Sequence, residues 1–193
     1  MVIFIPLGID CGLAGLLDKS TLRTCAFPFD WTVTYMGISN IFKHNFDDFI
    51  PDNSIIINTK PGNKYDMSFP HNEFPRDSDK YKRRIQRLLT LLESSNEHII
   101  LFRRSHTWHH HNEHTDIKND INDIEELDII FKTRYPNLKY TFIISLACSK
   151  CYNANIIYKS QSNTIDIYNI VATEDINDEK FNNLYNTIIN KYI

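Results

Sequence analysis

The first seventeen residues limit the fold more than any other stretch. Val2-Ile3-Phe4-Ile5 is a run of apolar side chains, the pattern of a short strand buried in a sheet covered on both faces. Pro6 and Gly8 end it, and a small-residue helix opens at Cys11 and continues through Gly12, Leu13, Ala14 and Gly15. A cysteine at that junction lies beside unpaired helix N–H groups and the positive end of the helix dipole, which favour thiolate over thiol. The strand-to-helix turn has the form of a nucleophile elbow, which exposes one reactive side chain. The competing reading is an inert cysteine packed at a tight turn.

The rest of the chain repeats the strand–helix alternation. Tyr35 to Lys43 predicts a short helix, and Phe42, Phe46 and Phe49 are expected to anchor the loop after it. Residues 51–75 are rich in Pro, Asn and Asp, with Ile55-Ile56-Ile57 as one short strand. Ser78 is a suitable N-cap for a helix running to Ser94, with Tyr81, Ile85, Leu88, Leu89 and Leu92 as its apolar stripe. Lys80, Lys82, Arg83, Arg84 and Arg87 occupy much of its remaining surface, read as a solvated basic face. His98 to Phe102 predicts a second strand. A helix capped by Asp116 follows, carrying Ile117, Ile121, Ile124, Leu127 and Phe131 on one face and stopping at Tyr135-Pro136. Tyr140 to Leu146 predicts a third strand, residues 156–158 and 165–171 a hairpin, and the stretch from Asp175 a last helix with Phe181, Leu184, Tyr185, Ile188 and Tyr192 inward. This order predicts an α/β fold: a single three-layer domain over residues 1–193, with a mainly parallel, Rossmann-like sheet and a late antiparallel hairpin.

Composition narrows the function classes. A hydrophobic content of 42% with 12% aromatics describes a folded globule. A net charge of -3 gives no reason to expect nucleic acid or an anionic membrane as partner. No apolar run is long enough to cross a bilayer, no basic segment precedes the first strand, and four unevenly placed cysteines do not form a disulfide framework. A reducing, cytoplasmic location is expected.

Beyond the first strand, Leu22-Arg23 and Phe27-Pro28-Phe29-Asp30-Trp31 complete the pattern Gly-x-x-Cys, Leu-Arg, Pro-Phe-Asp-Trp. This pattern resembles a family of bacterial and large-DNA-virus proteins described as papain-like cysteine peptidases. Phe69-Pro70-His71-Asn72-Glu73-Phe74, Tyr81-Lys82-Arg83-Arg84-Ile85 and Phe102-Arg103 extend the likeness over about three quarters of the chain, the first block being the specific one. The resemblance implies a cysteine-dependent hydrolase acting on a peptide or protein, without a cofactor. Together with a composition rich in Ile, Asn, Lys and Asp, it implies a large DNA virus as source and the host cytoplasm as location. Papain-like enzymes, however, carry their cysteine on a long helix packed against an antiparallel sheet, whereas this order is Rossmann-like.

Cysteine catalysis requires a base, often oriented by a third group. Cys11 is the expected nucleophile and His71, in the family-like Phe-Pro-His block, the expected base. Asp30 is expected either to orient that base or to pair with Arg23 at a local corner, with Asp166 as the other orienting group. Backbone near Gly12 would hold an oxyanion. Arg23, Trp31 and Arg103 are the substrate-side residues, Arg103 because ligands bind at strand ends in α/β sheets. Alternatives are an SGNH-like esterase, a transferase acting on a phosphorylated or sugar ligand, or a binding protein without activity. The SGNH pattern is incomplete: Ile9-Asp10-Cys11 stands where Gly-Asp-Ser is expected, and no histidine follows His114. His106, His109, His110, His111 and His114 are spaced as adventitious metal binders, and Cys148-Ser149-Lys150-Cys151 is an isolated Cys-x-x-Cys; neither predicts a metal site.

Overall fold

The structure, a computed structural model, describes residues 2–8, 11–34, 37–52, 54–106, 113–148, 155–171 and 178–193; side chains within 105–119, 146–148, 155–161, 169–171 and 178–181 are outside that description. Its centre is a five-stranded sheet of β1 (Val2–Pro6), β6 (His98–His106), β7 (Tyr140–Cys148), β9 (Ile165–Val171) and β8 (Asn155–Ser162), in that order. The first four strands are mutually parallel, and β8 is an antiparallel edge paired to β9. This is the expected mainly parallel sheet, with the hairpin placed so that its second strand, not its first, joins β7.

Side-chain alternation along the strands assigns the two faces. Ile3, Ile5 and Leu7, then Ile99 and Leu101, Phe142 and Ile144, and Ile165 and Ile167 enter one core. That core is covered by α2 (Ile38–Lys43), α3 (Ser78–Ser94) and α4 (Glu113–Arg134). Phe4, Ile100, Phe102, Ile143 and Tyr168 enter the other, covered by α1 (Gly12–Lys19) and α5 (Asp178–Ile189). Helices on both faces are what a parallel sheet with apolar residues on both sides requires.

Between α1 and α2 the chain therefore changes faces. Leu22 packs with the α1 core, while Phe27 and Phe29 belong to the other. Two pairs of two-residue strands lie outside the main sheet: β2 (Val33–Thr34) pairs with β5 (Met67–Ser68), and β3 (Ile56–Ile57) with β4 (Lys60–Pro61). The helix expected from Tyr35 begins at Ile38, because Gly37 takes a left-handed conformation (φ 83°) immediately before it. Asp123 of α4 caps that start, accepting from the amides of Ile38 and Ser39 at 2.9 and 3.0 Å. Burial raises the Asp123 carboxyl above its ordinary value, and the Ser39 hydroxyl and amide oppose the rise.

The larger core is aromatic. Phe131 of α4 meets Phe42, Tyr135, Tyr140 and Phe142 at centroid distances of 5.0–5.3 Å. No helix among the described residues is long and apolar enough to cross a membrane. Because Phe131 joins two helices and a strand, Phe131→Ala is expected to cost about 3–5 kcal/mol in denaturant unfolding, with the slope unchanged.

A second expectation concerns acid. His98, at the start of β6, lies 3.0 Å from the Thr141 hydroxyl. Burial, then the charge of Lys139, holds its imidazole below the ordinary value of 6.5. The folded state therefore binds fewer protons at this site than the unfolded chain, and stability falls as pH drops through the unfolded-state value. Unfolding midpoints of His98→Gln are expected to lose that part of the acid dependence between about pH 7 and 5.

Candidate functional site

Two polar groupings stand beside β1, and each has a distinct construction. The first is the strand-to-helix turn. Leu7 extends the β1–β6 ladder, its N–H donating to the Phe102 carbonyl at 2.8 Å. Gly8 follows with φ +72°; a methyl group there would lie 2.8 Å from Thr34 Oγ1 and 3.7 Å from Arg103 Nη1. Only glycine takes that backbone and that space together. Cys11 then occupies the N-cap of α1 with φ -78° and ψ -6°, and its side chain makes no cap hydrogen bond. The first helical bond runs from the Gly15 N–H to the Cys11 carbonyl at 3.0 Å, so the amides of Gly12, Leu13 and Ala14 fall outside the helix's own ladder. The Cys11 side chain is half-buried and forms no disulfide with a described residue.

Under this turn lies Arg103, fully buried on the face covered by α4. Its Nη2 and Nε donate to Asp120 Oδ1 at 2.9 and 3.3 Å, and its Nη1 donates to the Leu7 carbonyl at 2.9 Å. Arg103 is thus at a strand end, as expected, with its guanidinium directed to protein partners. The sequence reading missed Asp120. It falls on the α4 stripe with Ile124, Leu127 and Phe131, and an acid in line with an apolar stripe is the signal that marks a buried charge partner.

The second grouping closes the crossing between faces. Asp30 is fully buried. Its Oδ2 accepts from Arg23 Nη2 and Nε at 2.6 and 3.0 Å and from the Phe27 amide at 3.0 Å. Its Oδ1 has no hydrogen-bond partner among the described residues. Burial raises the Asp30 carboxyl; Arg23, the Phe27 amide and the nearby Arg84 charge oppose it. Arg23 lies 5.8 Å from the Trp31 ring centroid, and Trp31 meets His71 edge-on at 6.0 Å. Arg84 lies over Tyr81 at 5.2 Å, and Tyr81 accepts from Asn72 at 2.9 Å. Burial holds the Tyr81 phenol well above its ordinary value. The blocks Leu-Arg, Phe-Asp-Trp, Pro-His-Asn and Tyr-Lys-Arg-Arg, scattered along the sequence, therefore converge on one corner.

His71 is exposed. His71 lies three residues after β5, whose partner β2 carries Thr34 beside Gly8, at the end of β1 that leads to Cys11. His98 opens β6 beside Val2, at the opposite end. Among the described residues no hydrogen bond joins Cys11 to His71, or His71 to Asp30. The contacts of His71 lead through Trp31 and Arg23 to Asp18 in the last turn of α1, at 3.3 Å, while Cys11 caps the first. Asp166 accepts from Tyr192 instead of meeting this corner. Cys25 packs against the larger core. The histidines at 109–111 and Cys151 lie outside the described residues, as do the side chains of His106, His114 and Cys148. Among the described residues no group of three or more His, Cys, Asp or Glu is placed to hold a metal ion.

An α/β sheet with a cysteine at its first strand-to-helix turn defines the class. Within it, residues 2–68 match the family model described as "Putative papain-like cysteine peptidase (DUF1796)". The match includes Cys11, Arg23, Asp30 and Trp31 and ends before His71 and Arg103, so it is shorter than the likeness traced in the sequence. No curated protein and no solved structure matches the chain.

Arg23 is the only described cation hydrogen-bonded to buried Asp30. Arg23→Met is therefore expected to destabilise the protein by about 3 kcal/mol or more, as removing one partner of a buried pair does, read by thermal or denaturant unfolding.

Proposed function

We propose that the protein is a cysteine-dependent hydrolase of peptide or isopeptide bonds, with Cys11 as nucleophile. The observation that carries this reading is the position of Cys11: within the family-matched stretch, at the cap of α1, half-exposed and without a side-chain cap bond. The dipole of α1 favours its thiolate. Cys25, the other cysteine in that stretch, packs on the core.

His71 is the proposed base, supported by its exposure and by its place just after β5, whose partner β2 carries Thr34 beside Gly8. In this scheme His71 takes the Cys11 proton, and the thiolate attacks the substrate carbonyl carbon. The resulting oxyanion accepts from backbone N–H groups near Gly12. Collapse expels the amine, protonated by the His71 imidazolium, and water then hydrolyses the thioester with His71 again as base. Asp30 is the proposed orienting group, supported by its buried, unpartnered Oδ1 and its neighbour Trp31, against whose ring His71 rests.

The test is a thiol-directed activity probe followed by turnover of fluorogenic peptide and isopeptide substrates. Labelling of Cys11 in preference to Cys25, loss of turnover in Cys11→Ala and a fall of about 100-fold or more in His71→Ala are the expected results. Turnover that survives Cys11→Ala would falsify the assignment of the nucleophile.

A further inference from the structure

We infer that Arg103 is a positioning residue for the cysteine turn: held by Asp120, it grips the Leu7 carbonyl and so fixes the direction in which Gly8 and Cys11 leave the sheet. The inference rests on Cys11 being the nucleophile.

Three observations support it. Arg103 occupies an inward strand position where its neighbours Leu101, Phe142 and Ile144 are fully buried apolar residues. An apolar side chain would fill that space without desolvating a charge, and replacing buried ion pairs in this way is often neutral or stabilising. Packing alone therefore does not account for a guanidinium here. Its hydrogen bonds also reach two different elements. Two donors go to Asp120, which pins the guanidinium to α4, while Nη1 goes to a main-chain carbonyl one residue before the left-handed Gly8. Finally, Thr34 and Arg103 bound Gly8 on the side where a side chain would project. The turn is thus held from below by a charged fork and from the side by a threonine. Asp123 also faces this guanidinium from α4, close enough for the two charges to interact.

Because Arg103 is sealed from solvent, it acts on the reaction through the orientation of Cys11 toward the amides at the start of α1. Loosening the Leu7 carbonyl lets Cys11 drift from those amides and lowers its thiolate fraction at neutral pH.

The experiment measures the iodoacetamide labelling rate of Cys11 against Cys25 at pH 7, by peptide mass spectrometry, in four proteins. These are the wild type, Arg103→Lys, Asp120→Asn, and the apolar double variant Arg103→Met with Asp120→Leu. The double variant is expected to keep a wild-type melting temperature within a few degrees, while Cys11 labels about threefold or more slowly and Cys25 is unchanged. Arg103→Lys, which keeps the charge but not the fork, and Asp120→Asn, which weakens the anchor, are expected to slow Cys11 as well. Wild-type Cys11 labelling in every variant that folds overturns the inference. Wild-type Cys11 labelling no faster than Cys25 overturns instead the nucleophile assignment on which it rests.

Discussion

A guanidinium enclosed on one face of a parallel sheet must be neutralised and hydrogen-bonded, because an isolated charge there is far costlier than a cavity. Arg103 meets this demand with one carboxylate from α4 and one carbonyl from the end of β1. The consequence is a mechanical link between three elements that the apolar core alone would hold only approximately. Dispersion and burial bring α4 against β6 but are indifferent to small slides; a forked donor with two acceptors is not. The β1–β6 ladder sets the height of the first strand relative to its neighbour, and the fork ties α4 to the end of that strand, where the cysteine turn starts.

The other charged corner has a different task. Arg23 and Asp30 tie down the passage by which the chain leaves the face of α1 and enters the face of α3, and Arg87 adds a bond to the Ala26 carbonyl at 2.6 Å. Trp31 and His71 form its exposed rim. The two corners are joined through the β2–β5 pair, since Thr34 stands beside Gly8 while Trp31, three residues earlier, stands beside His71. The cysteine turn and His71 are thus linked through β2, although the described contacts do not bring the two groups together.

Much of this architecture is legible in the residues. The strands of the main sheet are apolar runs or alternations, and the stripes of α3 and α4 keep helical spacing, so both periods report burial directly. Strand ends are less legible: β6 continues past Phe102 through Arg103, Arg104, Ser105 and His106, polar residues whose extension depends on pairing with β7. The two-residue strands carry no period at all, and the β2–β5 pairing that sets Trp31 against His71 is a long-range contact. At the cysteine turn, Pro6, Gly8 and Cys11 announce a break and a helix start. The partner of Arg103 is encoded only as one acid on an otherwise apolar stripe. For Asp30 the residues allow either base orientation or pairing with Arg23; the geometry uses Oδ2 for the pairing and leaves Oδ1.

The placement of β1 has a consequence for how the protein is made. It is an edge strand whose one neighbour in the main sheet is β6, so Val2 finds its partner only when His98 is available. Because synthesis proceeds from the amino end, Val2 is made well before His98, so this ladder waits for the segment between them, and such distant pairings are the slow ones. The cysteine turn, which follows β1 directly, depends on a strand made after it, so a growing polypeptide does not carry a finished thiol site before the sheet that supports it exists.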